Sequence, residues 1–253
     1  MGYYQSKNPN GKCIIVALGA PNLIDVDNLR NAKLLTDAGY DILVPEYYGF
    51  CRSQGKFTPQ NSIQTLVDTY KIAQGNTSKI LESVYFGEKI APFSYKEIIF
   101  LGMSFGGFAV LMLPKFLPDT KKIIAFYPVL DYLSFGKMGV KEETAEDFRN
   151  NILRGFSTQF RGIQDDIWQK QFQDELGLSP LYETEYVKNV SLFLAHGTKD
   201  TSIFYKKTAQ YFQILKQKYP SGNIVYKEYL DAGHDTNTMF PATKDAIHWL
   251  SKS

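Results

Sequence analysis

Cysteine is scarce: the 253 residues contain two, Cys13 and Cys51. They stand far apart, without Cys-x-x-Cys spacing and with no histidine cluster beside either, so neither a disulfide framework nor a zinc site is expected. A reducing, cytoplasmic setting fits that usage. Charge of one sign is lacking too, with 28 Lys and Arg against 26 Asp and Glu. The longest basic blocks are Lys121-Lys122 and Lys206-Lys207, so a nucleic-acid partner, which needs phosphate neutralisation, is not expected. Residues 1–10 are polar, and the longest apolar run, 13–18, falls far short of the roughly 18 residues of a membrane span. Only three histidines occur, which narrows the choice of any general base.

What is present describes one well-filled core. Hydrophobic residues make up 44% of the chain and aromatics 15%, the latter read as core filling. A chain of this length buries roughly three quarters of the surface its unfolded form exposes, so residues 1–253 are expected to form a single domain. Short apolar, β-branched runs at 12–18, 40–45, 97–102, 122–127, 190–196 and 223–230 alternate with helical periodicity over 26–38, 62–81, 105–116, 204–219 and 236–251. That alternation predicts a mainly parallel, twisted α/β sheet of about six strands with helices on both faces. Residues 131–188 break it. They carry two amphipathic stretches, 142–154 and 164–176, and are expected to form a short helical cap insertion. Trp168, Phe172 and Leu176 give the second stretch an apolar stripe, expected to pack onto the main domain; the sharper alternative makes it the ceiling of a substrate pocket.

Gly102-Met103-Ser104-Phe105-Gly106 follows the apolar run at 98–101 and opens the helical run that starts at 105. This is the strand–turn–helix context of a nucleophile elbow, in which flanking glycines let the serine hydroxyl project from the sheet edge. A serine alcohol needs a base and a group to orient that base. Asp200 and His234 each lie just past a strand end, and the order Ser104, Asp200, His234 is the one expected of partners to an elbow serine. His248, beside Trp249, reads as a packing or partly exposed residue, and His196 as a structural histidine closing its strand. Asp131 is the rival acid, one strand over. For the oxyanion, the N–H of Phe105 is one donor, and Ala20 in the loop after the first strand is the second, with Asn22 as the fallback because Pro21 has no N–H.

On these residues the chain resembles an α/β-hydrolase, most closely the catalytic domain of prolyl-oligopeptidase-like and related esterase families, from about Lys12 to the C-terminus. The likeness extends to Pro45-Glu46-Tyr47-Tyr48-Gly49-Phe50-Cys51-Arg52-Ser53-Gln54-Gly55-Lys56-Phe57, similar to the family's Asp-Tyr-x-Gly-x-Gly-x-Ser-x-Gly loop, with Glu46 and Cys51 where the family usually has Asp and Gly, and read as structural. It also covers Tyr127-Pro128-Val129-Leu130-Asp131-Tyr132 and Ser179-Pro180-Leu181. Leu18 stands where the family usually has the His of a His-Gly-x-Pro loop. Only eleven residues precede the first expected strand, so the antiparallel strands that commonly open the fold are expected to be missing.

The expectation is therefore a serine hydrolase working through an acyl-enzyme without metal or organic cofactor. A small carboxylic ester is the first-choice substrate and a short peptide the alternative. A peptidase would need carboxylates to grip the substrate amine, for which Glu142-Glu143 and Asp165-Asp166 are the candidates. A binding protein that keeps the fold and has lost the chemistry is the rival of another class.

Overall fold

The computed structural model describes residues 1–20, 29–76, 81–82, 89–136, 144–150 and 158–252. In chain order the strands are β1 (Gly2–Tyr4), β2 (Lys12–Ala17), β3 (Asp41–Val44), β4 (Leu81–Glu82), β5 (Lys89–Ile90), β6 (Glu97–Met103), β7 (Lys122–Phe126), β8 (Ser191–Gly197) and β9 (Ile224–Tyr229). The helices are α1 (Leu29–Asp37), α2 (Pro59–Ala73), α3 (Phe105–Met112), α4 (Ala145–Asp147), α5 (Asp165–Phe172), α6 (Tyr205–Lys218) and α7 (Thr236–Leu250).

Alternation along β2 shows why the sheet lies in the middle. Cys13, Ile15 and Ala17 pack with α2, α3 and α6, whereas Ile14 and Val16 pack with α1 and α7. A strand apolar on both faces is stable only between two helical layers. Seven strands align in the order β1-β3-β2-β6-β7-β8-β9. All neighbouring pairs are parallel except β1 with β3, which is antiparallel.

All six expected strands are present, and the sheet has one more. β1 is an antiparallel opening strand inside the residues expected to hold none, pairing Gly2 to Tyr4 with Val44 to Ile42. Three residues are too few to show a period, but Tyr3 sets its ring edge-on against Phe93 at 5.0 Å. Its hydroxyl donates to Asp41 at 3.3 Å. The expected helix 62–81 also shifts. Thr58 caps α2 by accepting from Asn61 N–H at 3.1 Å, so the helix starts earlier. It stops at Ala73 because Gly75 turns the chain at φ 77°, and Leu81 instead pairs in the small β4–β5 hairpin.

Between β7 and β8, α4 opens with a Thr144–Asp147 capping box, and the rest of the 142–154 stretch lies outside the described residues except for 148–150. In α5 the stripe faces inward. Trp168 is fully buried, stacks on Phe57 at 5.5 Å and donates its indole N–H to Phe57 O at 3.2 Å. Trp168 and Phe172 pack onto the main domain as expected, Trp168 against Phe57 and against Phe105 of α3, while Phe172 also borders a cleft with Ala145 and Gln169. No helix among the described residues is long and apolar enough to cross a membrane.

Candidate active site

β6 runs straight into α3 with Ser104 at the junction, at φ 55° and ψ −119°. A side chain pays for that left-handed backbone in strain, which persists only where the surroundings fix it. From residue 101 to 110 every residue but Ser104 is buried. The surroundings are unusually close. A Cβ on Gly106 would lie 2.0 Å from Ala17 O and 2.6 Å from Leu18 O, and one on Gly102 would lie 2.2 Å from Gly106 O. Gly106→Ala therefore pushes α3 away from the end of β2. We expect a loss of about 1–3 kcal/mol, a melting temperature lower by about 2–4 °C per kcal/mol, and slower turnover, read by thermal unfolding and initial rates.

Asp200 follows β8 and His234 follows β9, and the structure brings them together. Asp200 Oδ2 lies 2.7 Å from His234 Nδ1, with the carboxylate side chain fully buried and the imidazole 23% exposed. Oδ1 accepts the backbone N–H groups of Ser202 and Ile203 at 2.8 and 2.9 Å. Burial by itself would raise the Asp200 pKa. Hydrogen bonds from His196 and His234 outweigh it and hold the carboxyl well below its ordinary value.

The two loops are tied to one another: Asp231 N–H donates to Thr198 Oγ1 at 2.9 Å and Lys199 N–H to Ala232 O at 2.9 Å. Thr238, in the first turn of α7, donates its hydroxyl to Gly233 O at 2.6 Å.

Asp131, the rival acid, is also buried, but it is occupied within its own turn. It accepts Ser134 N–H at 3.0 Å and the Ser134 hydroxyl. His248 is exposed near the end of α7, and His196 is buried and fully hydrogen-bonded. Ser104 Oγ makes no hydrogen bond to His234 in this structure, although both residues border the end of β7. Ser104 N–H donates to Phe126 O at 3.1 Å, and the next ring, Tyr127, lies 4.2 Å from the His234 ring. Tyr127 has no role in the sequence reading. The signals for it are its place at a strand end and, in the structure, a left-handed φ of 37°. Burial first, and then the charges of Asp200 and Asp235, push its phenol pKa up, so the ring stays neutral beside the imidazole.

The first N–H of α3, on Phe105, and that of Ala20 donate to no acceptor among the described residues. The loop holding Ala20 borders the serine: a Cβ on Gly19 would lie 3.3 Å from Ser104 Cβ and 3.9 Å from its Oγ. Tyr47 steadies that loop from below, its buried hydroxyl donating to Leu18 O at 2.7 Å. Tyr47 also meets the Phe105 ring edge-on at 5.6 Å, a structural duty for the 46–55 loop. Asn22, Glu142 and Glu143 lie outside the described residues. Asp165 and Asp166 are exposed in the first turn of α5. Among the described residues no group of three or more His, Cys, Asp or Glu is placed to hold a metal ion.

Residues 84–253 match the prolyl oligopeptidase family. No curated protein sequence gives a significant match. Among solved structures, a monoacylglycerol lipase from Paleococcus ferrophilus is 16% identical, with 99% of this chain and 97% of that one covered and a TM-score of 0.61. The Pyrococcus furiosus esterase Pf2001 is 19% identical over 97% of this chain and 82% of its own, with a TM-score of 0.65. Est1E from Butyrivibrio proteoclasticus, solved with ferulic acid bound, is 15% identical over 99% and 93%, with a TM-score of 0.65. At these identities the likeness is one of fold.

Proposed function

The chain belongs to the prolyl oligopeptidase family and is a serine hydrolase with an α/β-hydrolase fold, and on that premise we propose that it cleaves carboxylic esters through Ser104, His234 and Asp200. The observation that carries the proposal is the 2.7 Å contact of His234 Nδ1 with a buried carboxylate at the sheet edge where Ser104 projects. Asp200 fixes the tautomer in which His234 Nδ1 carries hydrogen, leaving Nε2 to act as base. Ser104 Oγ attacks the ester carbonyl and its proton passes to Nε2. Phe105 and Ala20 N–H groups receive the oxyanion. The same proton goes to the leaving alkoxide as the C–O bond breaks, and water, deprotonated in turn by His234, releases the acid.

An ester is preferred on two grounds. The proteins of like fold named above are a lipase, an esterase and Est1E with ferulic acid bound. In the β7–β8 connection, which we read as a cap of the single domain, the candidate pair Asp165-Asp166 is solvated and the buried Asp131 is held by Ser134 in its own turn. Family membership favours the second reading, hydrolysis of aminoacyl amides.

The purified protein is expected to be labelled stoichiometrically by a fluorophosphonate and to hydrolyse p-nitrophenyl esters faster than aminoacyl anilides. Labelling without ester turnover, accompanied by anilide cleavage, reverses the choice of substrate. Absence of labelling returns the fold to a binding role.

A further inference from the structure

The carboxylate of Asp200 has a second imidazole partner. His196, fully buried at the end of β8, sets Nε2 3.0 Å from Asp200 Oδ2 and 3.0 Å from Ile203 O. Its Nδ1 lies 2.8 Å from Thr208 Oγ1 in α6. Both neighbours of Nε2 are acceptors, so Nε2 carries a proton, and the Thr208 hydroxyl is placed to donate to Nδ1. The tautomer is assigned from these partners. Asp200 is then gripped by four donors: two backbone N–H groups on Oδ1, and His196 and His234 together on Oδ2.

We propose that His196 is a positioning residue for the hydrolysis: its N–H pins Asp200 Oδ2 where His234 Nδ1 meets it, and Thr208 holds His196 in the tautomer that can do so. This rests on the reading of Ser104, His234 and Asp200 as the reacting set. Oδ1 is held by two backbone N–H groups, so what His196 adds is a second anchor on Oδ2, the oxygen that His234 meets. Sharing Oδ2 between two N–H donors fixes that oxygen's place against His234 and also divides the negative charge available to it. The groups facing Asp200 are His196 from β8, His234 from the loop after β9 and the Tyr127 ring from the end of β7. Lys199 is paired with Asp231 at the exposed surface at 2.8 Å, and Asp235 acts on Tyr127.

Three variants test it on a p-nitrophenyl ester: His196→Phe removes the donor and keeps a planar ring, His196→Gln supplies an amide N–H, and Thr208→Val deletes one hydroxyl at constant shape. His196→Phe is expected to lower kcat about 10- to 100-fold while KM changes less than about twofold. The pH of half-maximal kcat/KM should rise, because an unshared Oδ2 holds the charged His234 more firmly. His196→Gln should recover most of the rate, and Thr208→Val should show a smaller loss in the same direction. Combined with Asp200→Asn, His196→Phe should add nothing, as two changes in one chain of action do. A wild-type kcat and pH profile in His196→Phe, a loss that Gln leaves unrepaired, or multiplying losses in the double variant each overturn the proposal. If His196→Phe fails to fold, an unmoved rate and pH midpoint in Thr208→Val overturn it instead. Full turnover in Ser104→Ala or Asp200→Asn defeats the reacting set itself, whatever the His196 variants do.

Discussion

Ser104→Ala is expected to fold as stably as the natural protein and to lose ester turnover by a factor on the order of 10⁵ to 10⁶. Alanine keeps the Cβ, so the strained backbone at φ 55° is no worse occupied than before. The surrounding packing, set by Gly102, Gly106 and the fully buried Phe105 ring, is untouched. What disappears is the atom that, in the proposed mechanism, forms the acyl bond. The residual rate reflects whatever the Phe105 and Ala20 N–H groups do for direct attack by water. Fluorophosphonate labelling should vanish with turnover, measured by intact mass before and after reaction. A variant that is still labelled places the nucleophile at another side chain.

Asp200→Asn should lower kcat on the order of 10⁴-fold, while Asp131→Asn leaves kcat per folded molecule near the natural value. The reason lies in which group each carboxylate serves. The amide introduced by Asp200→Asn can turn its NH₂ toward His234 Nδ1, which then must accept, so the proton moves to Nε2 and the ring can no longer take one from Ser104. The Asp131 carboxylate serves Ser134 in its own turn, so its loss weakens that turn by about 1 kcal/mol. Initial rates corrected for the folded fraction, with both variants side by side, give the comparison. A larger fall in Asp131→Asn moves the acid from the end of β8 to the end of β7.

Much of this is legible in the chain because the features are periodic or punctuated. The six longer strands carry apolar side chains on both faces, as β2 does, and such runs stand out from helical periodicity. The elbow stands out because Gly102 and Gly106 bracket a serine between a strand and a helix. β1 is not legible: three residues hold no period, and its pairing depends on β3, some forty positions away. The end of α2 is obscured for a related reason, since Ile80 and Leu81, past the polar residues 76–79, read as a continuation of its helical period. Of the proposed site, the sequence points to Ser104, Asp200 and His234 but not to their supports. Tyr127 packs its ring against His234 through a strand-end conformation, and Thr208 reaches His196 from a helix, contacts that only the fold creates.

The ring of Phe105 packs 6.1 Å from Trp168 of α5 and 5.4 Å from Phe57, while its backbone N–H is the group that follows the serine. One residue thus belongs to two structures at once. A hinge that lifted α5 away from α3 would pull on the same side chain whose main-chain N–H we propose as an oxyanion donor. Access for bulkier acyl groups therefore has to be engineered at the rim, and a transplanted β7–β8 connection from another hydrolase needs residues 47–57 to travel with it.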